Sequence, residues 1–502
     1  MAIELSNLTF TNQDDIVPAS GMEEILNTGV ANTLAGNDRI TGTKETTTDT
    51  PYQQIFSSIF NSGALNTADG DDIITGTIST TEDSPAYYNH AGIRNIGSIS
   101  TGEGNDKITG SGVYGLVNSF TITTDNGNDT ISGTGEGGAA GLYSQGNINS
   151  GDGNDIITGT NTGGNGYGIF NGFGSPNEVA RTTLDTGDGN DTITGIGAYA
   201  IINYATINTG EGADSIIGDA SSNNGPGEGI INVGTINTGN GEDSIISQGK
   251  IINYGGVYLG NGNDSITADT GFPNRAIENF NVIEMGDGED TIFSQGVIFN
   301  EGTINTGNGT DYIISYGKLI NYGGMFLGEG NDSILGAIEF PNRAIENFNA
   351  IEMGDGDDII GSGGVLYNEG VINTGDGNDN IFVSVVYNNG GNINTGDGND
   401  SITANEGFES GPNSSGAWFL GEGDDYIKGY GSGDFYGGNG FDKLALTPGS
   451  YTVERWTDNT GESVVFTKGN SLMITSQFEQ LIAGGTTHLF ASLTQGQTIV
   501  VP

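Results

Sequence analysis

Cysteine is absent from this chain, so no disulfide can supply rigidity, and metal is the usual substitute in an exported protein of low apolar content. Basic side chains are scarce: 13 Lys and Arg stand against 63 Asp and Glu, a formal charge of −50. A chain this acidic repels itself when compact, needs counter-ions to fold stably, and is a poor partner for nucleic acid or an anionic membrane. Long apolar runs are missing too. No stretch approaches the ~18 continuous apolar residues that span a bilayer. Met1 to Ser6 carries no basic segment followed by an apolar run, so export is expected by a route other than an ordinary signal peptide.

What the sequence has is glycine, 90 residues of it, in a repeated pattern. Alignment on x-G-x-G-x-D-x-I places an aspartate at Asp38, Asp72, Asp106, Asp129, Asp155, Asp191, Asp214, Asp243, Asp264, Asp290, Asp311, Asp332, Asp358, Asp379, Asp400, Asp425 and Asp442. Two residues before each stands Gly, and two after it Ile, or Leu444 in the last copy. Four residues before, Gly recurs except at Leu34, Ala68 and Asp125. Eleven before is usually Asn, as at Asn61, Asn232, Asn300 and Asn389; seven before is usually apolar, as at Ile99 and Ile304.

The unit therefore reads as Asn, a short strand, a Gly-Asp turn and a second short strand. Copies recur at intervals of 17 to 36 residues, and the Asn-to-Asp frame persists in long copies. Extra residues, such as Lys44 to Gln54, Thr80 to Arg94 and Asn161 to Arg181, are thus expected after the second strand. The segment F-P-N-R-A-I-E-N-F occurs at Phe272 and again at Phe340, so the array grew by duplication.

Glycine at this density costs a helix about 1 kcal/mol per residue. Short β-branched strands between Gly turns fit an all-β fold, a right-handed parallel β-solenoid of about 17 coils whose Ile and Val side chains stack in an internal column. The expected layout is an N-terminal strand or cap over 1–20, solenoid repeats over 21–445 and a small β cap over 446–502. In the cap, Tyr451 to Trp456, Glu462 to Thr467 and Ser471 to Phe478 alternate like antiparallel strands.

In G-x-G-x-D the glycines let the backbone turn with φ > 0 and direct carbonyl oxygens inward, while the aspartate adds a carboxylate. Calcium accepts mixed shells of six or more oxygens, more than one turn provides, so an ion between two stacked turns would staple coil to coil. The candidate ligands are the seventeen aspartates above and the turn glycines Gly104, Gly153, Gly189, Gly212, Gly241, Gly262, Gly288, Gly309, Gly330, Gly356, Gly377, Gly398, Gly423 and Gly440. A row of carboxylates ~5 Å apart repels itself unless cations lie between its members. The frame Asn would form a stacked amide ladder at another corner.

Motifs such as Thr186-Gly187-Asp188-Gly189-Asn190-Asp191-Thr192-Ile193-Thr194 resemble the RTX nonapeptide G-G-x-G-x-D-x-U-x of bacterial type I secreted proteins, over about residues 33 to 445. The resemblance implies calcium binding, folding after export and a C-terminal export signal, for which 446–502 is the candidate. Two departures stand out. One motif occurs per 21 or so residues rather than per nine, which implies one calcium row along one edge. The motif's first Gly is here Thr306, Leu327 or Met353, whose side chains are expected to face inward.

Candidates for catalysis are few. His90 and His488 lie outside the frame, and Arg275 and Arg343 sit in the duplicated segment, where a packing turn is the simpler reading. The expectation is a non-enzymatic, secreted, calcium-dependent structural or adhesive protein that self-associates head to tail or binds a cell-surface polysaccharide. The alternatives are a calcium-dependent β-helix lyase or epimerase acting on acidic polysaccharide, and a filament in which Ile3 to Phe10 adds as a strand to a neighbour's open end.

Overall fold

The structure is a computed structural model describing residues 2–18, 23–46, 56–80, 90–174, 182–220, 227–270, 273–336, 343–411, 416–458 and 461–502. It divides into two compact units, Met1–Thr270 and Gly271–Pro502. Both are parallel β-solenoids, with nine ladder aspartates in the first and eight in the second.

Coils contain three strands, one more than the repeat pattern indicates, except that of Asp442, which has only Gly433–Asn439 and Lys443–Leu446. In the coil of Asp106 these are a leading strand Ala91–Asn95, a middle strand Ser98–Ser100 and a trailing strand Lys107–Ser111. The leading strand precedes the frame Asn and varies freely, as in Val297–Asn300 and Arg343–Asn347, so no fixed motif announces it. Like strands of successive coils pair in parallel: Ile93 with Leu116, Ile99 with Ile122, Ile108 with Ile131.

This register stacks three apolar columns inside each unit, one per strand. Ile93, Ile99 and Ile108 are all 0% exposed, as are Thr306, Leu327 and Met353, which face inward as expected. Each such aliphatic side chain contributes roughly 1.5–3 kcal/mol by leaving water, so the columns drive the stacking. Glycine has a second use here. Gly110 faces the next leading strand so closely that a methyl group would lie 2.2 Å from the Gly115 carbonyl oxygen. The coil is too thin at that edge for any Cβ.

The frame asparagines form the expected ladder. Asn27, Asn61 and Asn95 each donate from Nδ2 to Oδ1 of the next, at 2.7 to 2.9 Å, and a second run joins Asn279, Asn300, Asn321, Asn347 and Asn368. Two positions differ from the sequence reading. Asn388, not Asn389, accepts from Asn368, because that coil holds one extra residue; Asn389 instead donates to Glu369 at 2.7 Å. Asn171 fills the ladder in the coil of Asp191, bonding Asn203 at 2.9 Å. There the extra residues enter between leading and middle strands, as they also do between Ser410 and Ala417. The residues that extend the first long copies, 47–55 and 81–89, lie outside the described residues.

The ends are closed differently. Ala2–Glu4 pairs with Glu24–Leu26 and is followed by a short 3-10 turn at Leu5–Asn7, so it is a strand of its own unit and not a free arm for a neighbour. Beyond the last coil, Gly449–Asp458, Gly461–Lys468 and Ser471–Ser476 form an antiparallel sheet, and Thr498–Val501 adds to its first strand. Ser471–Ser476 and Gln480–Ala483 continue the middle and trailing stacks in parallel.

The turn glycines explain a testable asymmetry. Those four before the aspartate hold φ of 84–111° and those two before hold 138–158°, whereas Leu34, Ala68 and Asp125 are forced to 60–68°. Left-handed backbone costs a non-glycine residue about 1–2 kcal/mol, so Ala68→Gly should stabilise the chain by about 1 kcal/mol. A methyl on Gly104 would lie 2.0 Å from the Gly70 carbonyl oxygen, so Gly104→Ala should cost roughly 3 kcal/mol or more. Denaturant midpoints of the two variants check both signs.

Candidate metal centre

The aspartates sit where the chain leaves the turn for the trailing strand, and the inward Ile two residues on fixes their orientation. All seventeen are 0–2% exposed. Within each unit, every ladder carboxylate after the first accepts, through Oδ1, the backbone N–H of the aspartate one coil earlier. In the first unit the bonds run from Asp38 to Asp72, Asp72 to Asp106, Asp106 to Asp129 and onward to Asp264, at 2.7 to 2.8 Å. In the second they run from Asp290 through Asp311, Asp332, Asp358, Asp379, Asp400 and Asp425 to Asp442, at 2.7 to 3.0 Å.

The second oxygen is the anomaly. Oδ2 is buried without a hydrogen-bond partner in Asp38, Asp72, Asp106, Asp129, Asp155, Asp191, Asp214 and Asp243 of the first unit. The same holds for Asp311, Asp332, Asp358, Asp379, Asp400, Asp425 and Asp442 of the second. A buried, unsatisfied charged oxygen is costly, and one in almost every coil calls for a partner of another kind.

The glycine carbonyls point the same way. The oxygens of Gly104, Gly153, Gly189, Gly309 and Gly330 face the corresponding glycine of the next coil, and no backbone N–H among the described residues donates to them. The hydroxyl five residues before the aspartate is divided between two acceptors: Thr67 Oγ1 donates to the Thr101 carbonyl at 3.3 Å and Thr209 Oγ1 to that of Thr238 at 3.2 Å, and each lies close enough to its own coil's carboxylate to pull that carboxyl down. Orphaned carboxylate oxygens and free carbonyls are the hard, neutral-plus-anionic donor set that suits calcium. Gly104 and the other thirteen candidate glycines all lie in these turns, so the structure brings the sequence-identified residues to one edge of each unit. Among the described residues no three acidic or imidazole side chains converge, since each coil offers this edge a single inner carboxylate and otherwise backbone oxygen.

Outside the inner row runs an exposed one that the repeat pattern did not single out. The residue before the ladder aspartate accepts from the equivalent N–H of the following coil, as Asn105 does from Asn128 at 3.0 Å and Asp357 from Asn378 at 2.7 Å. The basic candidates play another part. The Arg275 guanidinium lies 3.4 Å from the Phe299 ring centre and pairs with Glu278, and that of Arg343 lies 3.5 Å from the Tyr367 ring centre, both packing arrangements. His90 is buried against Phe56, and His488 stands on a strand of the C-terminal cap. Phe272 and Phe340, which open the duplicated segments, lie outside the described residues.

No protein-family model matches this chain, and no curated protein matches it. One solved structure is similar: the X-ray crystal structure of a hyperactive, Ca2+-dependent, beta-helical antifreeze protein from an Antarctic bacterium. The similarity covers 65% of this chain and 79% of that one, at 20% identity and a TM-score of 0.39, too low to carry any argument about this chain.

Burial pushes the ladder carboxyls up, against the opposing pull of the accepted N–H and, in most coils, the nearby hydroxyl. They reach about 7 at Asp72, Asp129, Asp191, Asp332 and Asp400, and about 8 at Asp358, where neighbouring carboxylates add to the rise. Because the folded values lie above the unfolded ones of about 4, their contribution to the metal-free fold is fully present below pH ~4 and lost as pH rises through 6 to 8. The chain in chelator should therefore be more stable at pH 5 than at pH 8, and calcium should bind more weakly at pH 5, where protons compete for the same oxygens. Thermal melts at the two pH values, with and without calcium, check both.

Proposed function

We propose that this protein is a secreted, calcium-stapled β-solenoid whose role is structural or adhesive, at a cell surface or in an extracellular matrix. The observation that carries the reading is the row of buried carboxylates, fifteen of which, from Asp38 to Asp243 and from Asp311 to Asp442, keep one oxygen without a hydrogen-bond partner. Calcium between adjacent turns would supply the positive charge that these oxygens and the glycine carbonyls lack. The chain's own residues do the rest: the Ile columns set the register, the Asp N–H bonds orient each carboxylate, and the turn glycines keep the backbone close enough for oxygens of two coils to converge.

With 63 acidic residues, the chain resists compaction where calcium is scarce and folds where it is abundant. Export in the unfolded state by a type I route fits that behaviour and the resemblance of its repeats. A non-enzymatic role is supported by the engagement of Arg275 and Arg343, the two basic candidates for a lyase site, in packing on aromatic rings. Circular dichroism and sedimentation across a titration from chelator to ~10 mM calcium test the reading. Cooperative gain of β-structure is expected, and a chain equally folded in chelator at pH 8 would sink it; growth into large species would extend it to self-association.

A second reading, ice binding, has its own observation. In the first unit the trailing strands present Thr41 and Thr43, Thr75 and Thr77, Thr109 and Ser111, Ser132 and Thr134, Thr158 and Thr160 in strict register. Coils ~4.8 Å apart and alternate residues ~6.6 Å apart make this a regular two-dimensional array of hydroxyl and methyl groups, the kind of repeating surface that ordered water could match. Inhibition of ice recrystallisation by the calcium-loaded protein, lost in a Thr75→Tyr, Thr158→Tyr variant, is the expected result on this reading; no inhibition by the parent chain excludes it.

A further inference from the structure

The carboxylate row does not stop at Asp442. The Asp442 N–H donates to Glu479 Oε2 at 2.7 Å, the bond that the other ladder N–H groups make to the next carboxylate. The Gln480 N–H returns to the Asp442 carbonyl at 3.0 Å, as the Lys443 N–H does to that of Asp425 at 2.8 Å. Leu481, two residues after Glu479, is 0% exposed, and its strand Gln480–Ala483 pairs in parallel with Lys443–Leu446.

Two residues before Glu479, Gln477 holds φ of 60°; the other non-glycine residues with positive φ, Leu34, Ala68 and Asp125, all belong to ladder turns. The segment Ser476 to Glu479 is thus a degenerate copy of the turn, shortened and without glycine. Tyr436 and its register partner Ser476 lie 442 − 436 = 6 and 479 − 476 = 3 residues before their carboxylates, so this turn is three residues shorter than the one before it. Asp442, 0% exposed, meets this turn with its Oδ2 unpartnered.

The opposite end is built otherwise. The Asp15 N–H donates to Asp38 Oδ1 at 2.7 Å, but the Asp15 carboxylate turns back on its own loop and accepts the Thr11 N–H at 2.8 Å. The N-terminal end is therefore closed by a carboxylate already in use, and the C-terminal end by one that faces the row.

We propose that Glu479 is the ninth carboxylate of the second unit's row and its terminal ligand for a hard divalent cation, held jointly by the last coil and the antiparallel cap. The proposal rests on the calcium reading above. It makes docking of the cap and filling of the last site a single event, so the cap is part of the metal array and not only a lid on it.

Native mass spectrometry of the full chain in calcium, which counts bound ions, tests it. Glu479→Gln keeps a side-chain oxygen for the Asp442 N–H and removes the charge; it should hold one ion fewer than the parent chain. Glu136→Gln, an equal charge change on an exposed turn, should hold the full count, as should Glu479→Asp, which keeps the carboxylate. An unchanged count in Glu479→Gln overturns the proposal and leaves the calcium reading standing. Equal loss in the Gln and Asp variants marks Glu479 as a positioning group and overturns it as well. A parent chain that binds no calcium overturns both.

Discussion

Everything in this molecule depends on bringing one carboxylate per coil out of water and stacking it within a strand spacing of the next. Coulomb repulsion at such distances is far stronger in a low-dielectric interior than in water, and ladder aspartates such as Asp106 and Asp358 satisfy only one of their two oxygens with protein. The fold thus creates an electrostatic demand that it does not itself meet. Protons meet it in acid, which is why burial drives these carboxyls toward neutrality; a divalent cation meets it at neutral pH without giving up the charge.

The remaining features serve that row. The inner Ile columns supply the apolar burial that makes stacking favourable and fix the register in which Asp meets Asp. The amide ladder satisfies the opposite corner, where each Asn donates along the stack and keeps one coil from slipping on the next. Glycine permits the turn and thins the coil, and the two uses together account for its abundance better than turns alone. Insertions are tolerated at corners where they leave the ladder residues in place, as after Asn171, which still donates to Asn203.

Much of this was legible in the sequence because a solenoid is local: each coil repeats its neighbour's contacts, so a periodic pattern in one dimension maps onto a column in three. The Asp row, the Ile column and the amide ladder could be read that way. The leading strand could not, since only its inward residues are constrained and apolar identity drifts among Ile, Leu and Val. Asn389 and Asn171 show the limit of counting, because inserted residues, a single one in the first case and a longer stretch in the second, shift the partner that actually stacks. Glu479 carries no glycine signature at all, and only its hydrogen bond to Asp442 reveals it.

By itself the sequence determined the fold class, the edge on which the carboxylates lie and the chemistry they call for, because repeat period, glycine placement and charge are properties of the chain. Tertiary structure alone decided that in carboxylates such as Asp106 and Asp358 one oxygen is consumed by a neighbour's N–H while the other is left over, that Arg275 and Arg343 are spent on aromatic rings, and that the cap supplies a carboxylate of its own. Those outcomes depend on which atoms of distant residues face each other, and one-dimensional spacing does not carry that information.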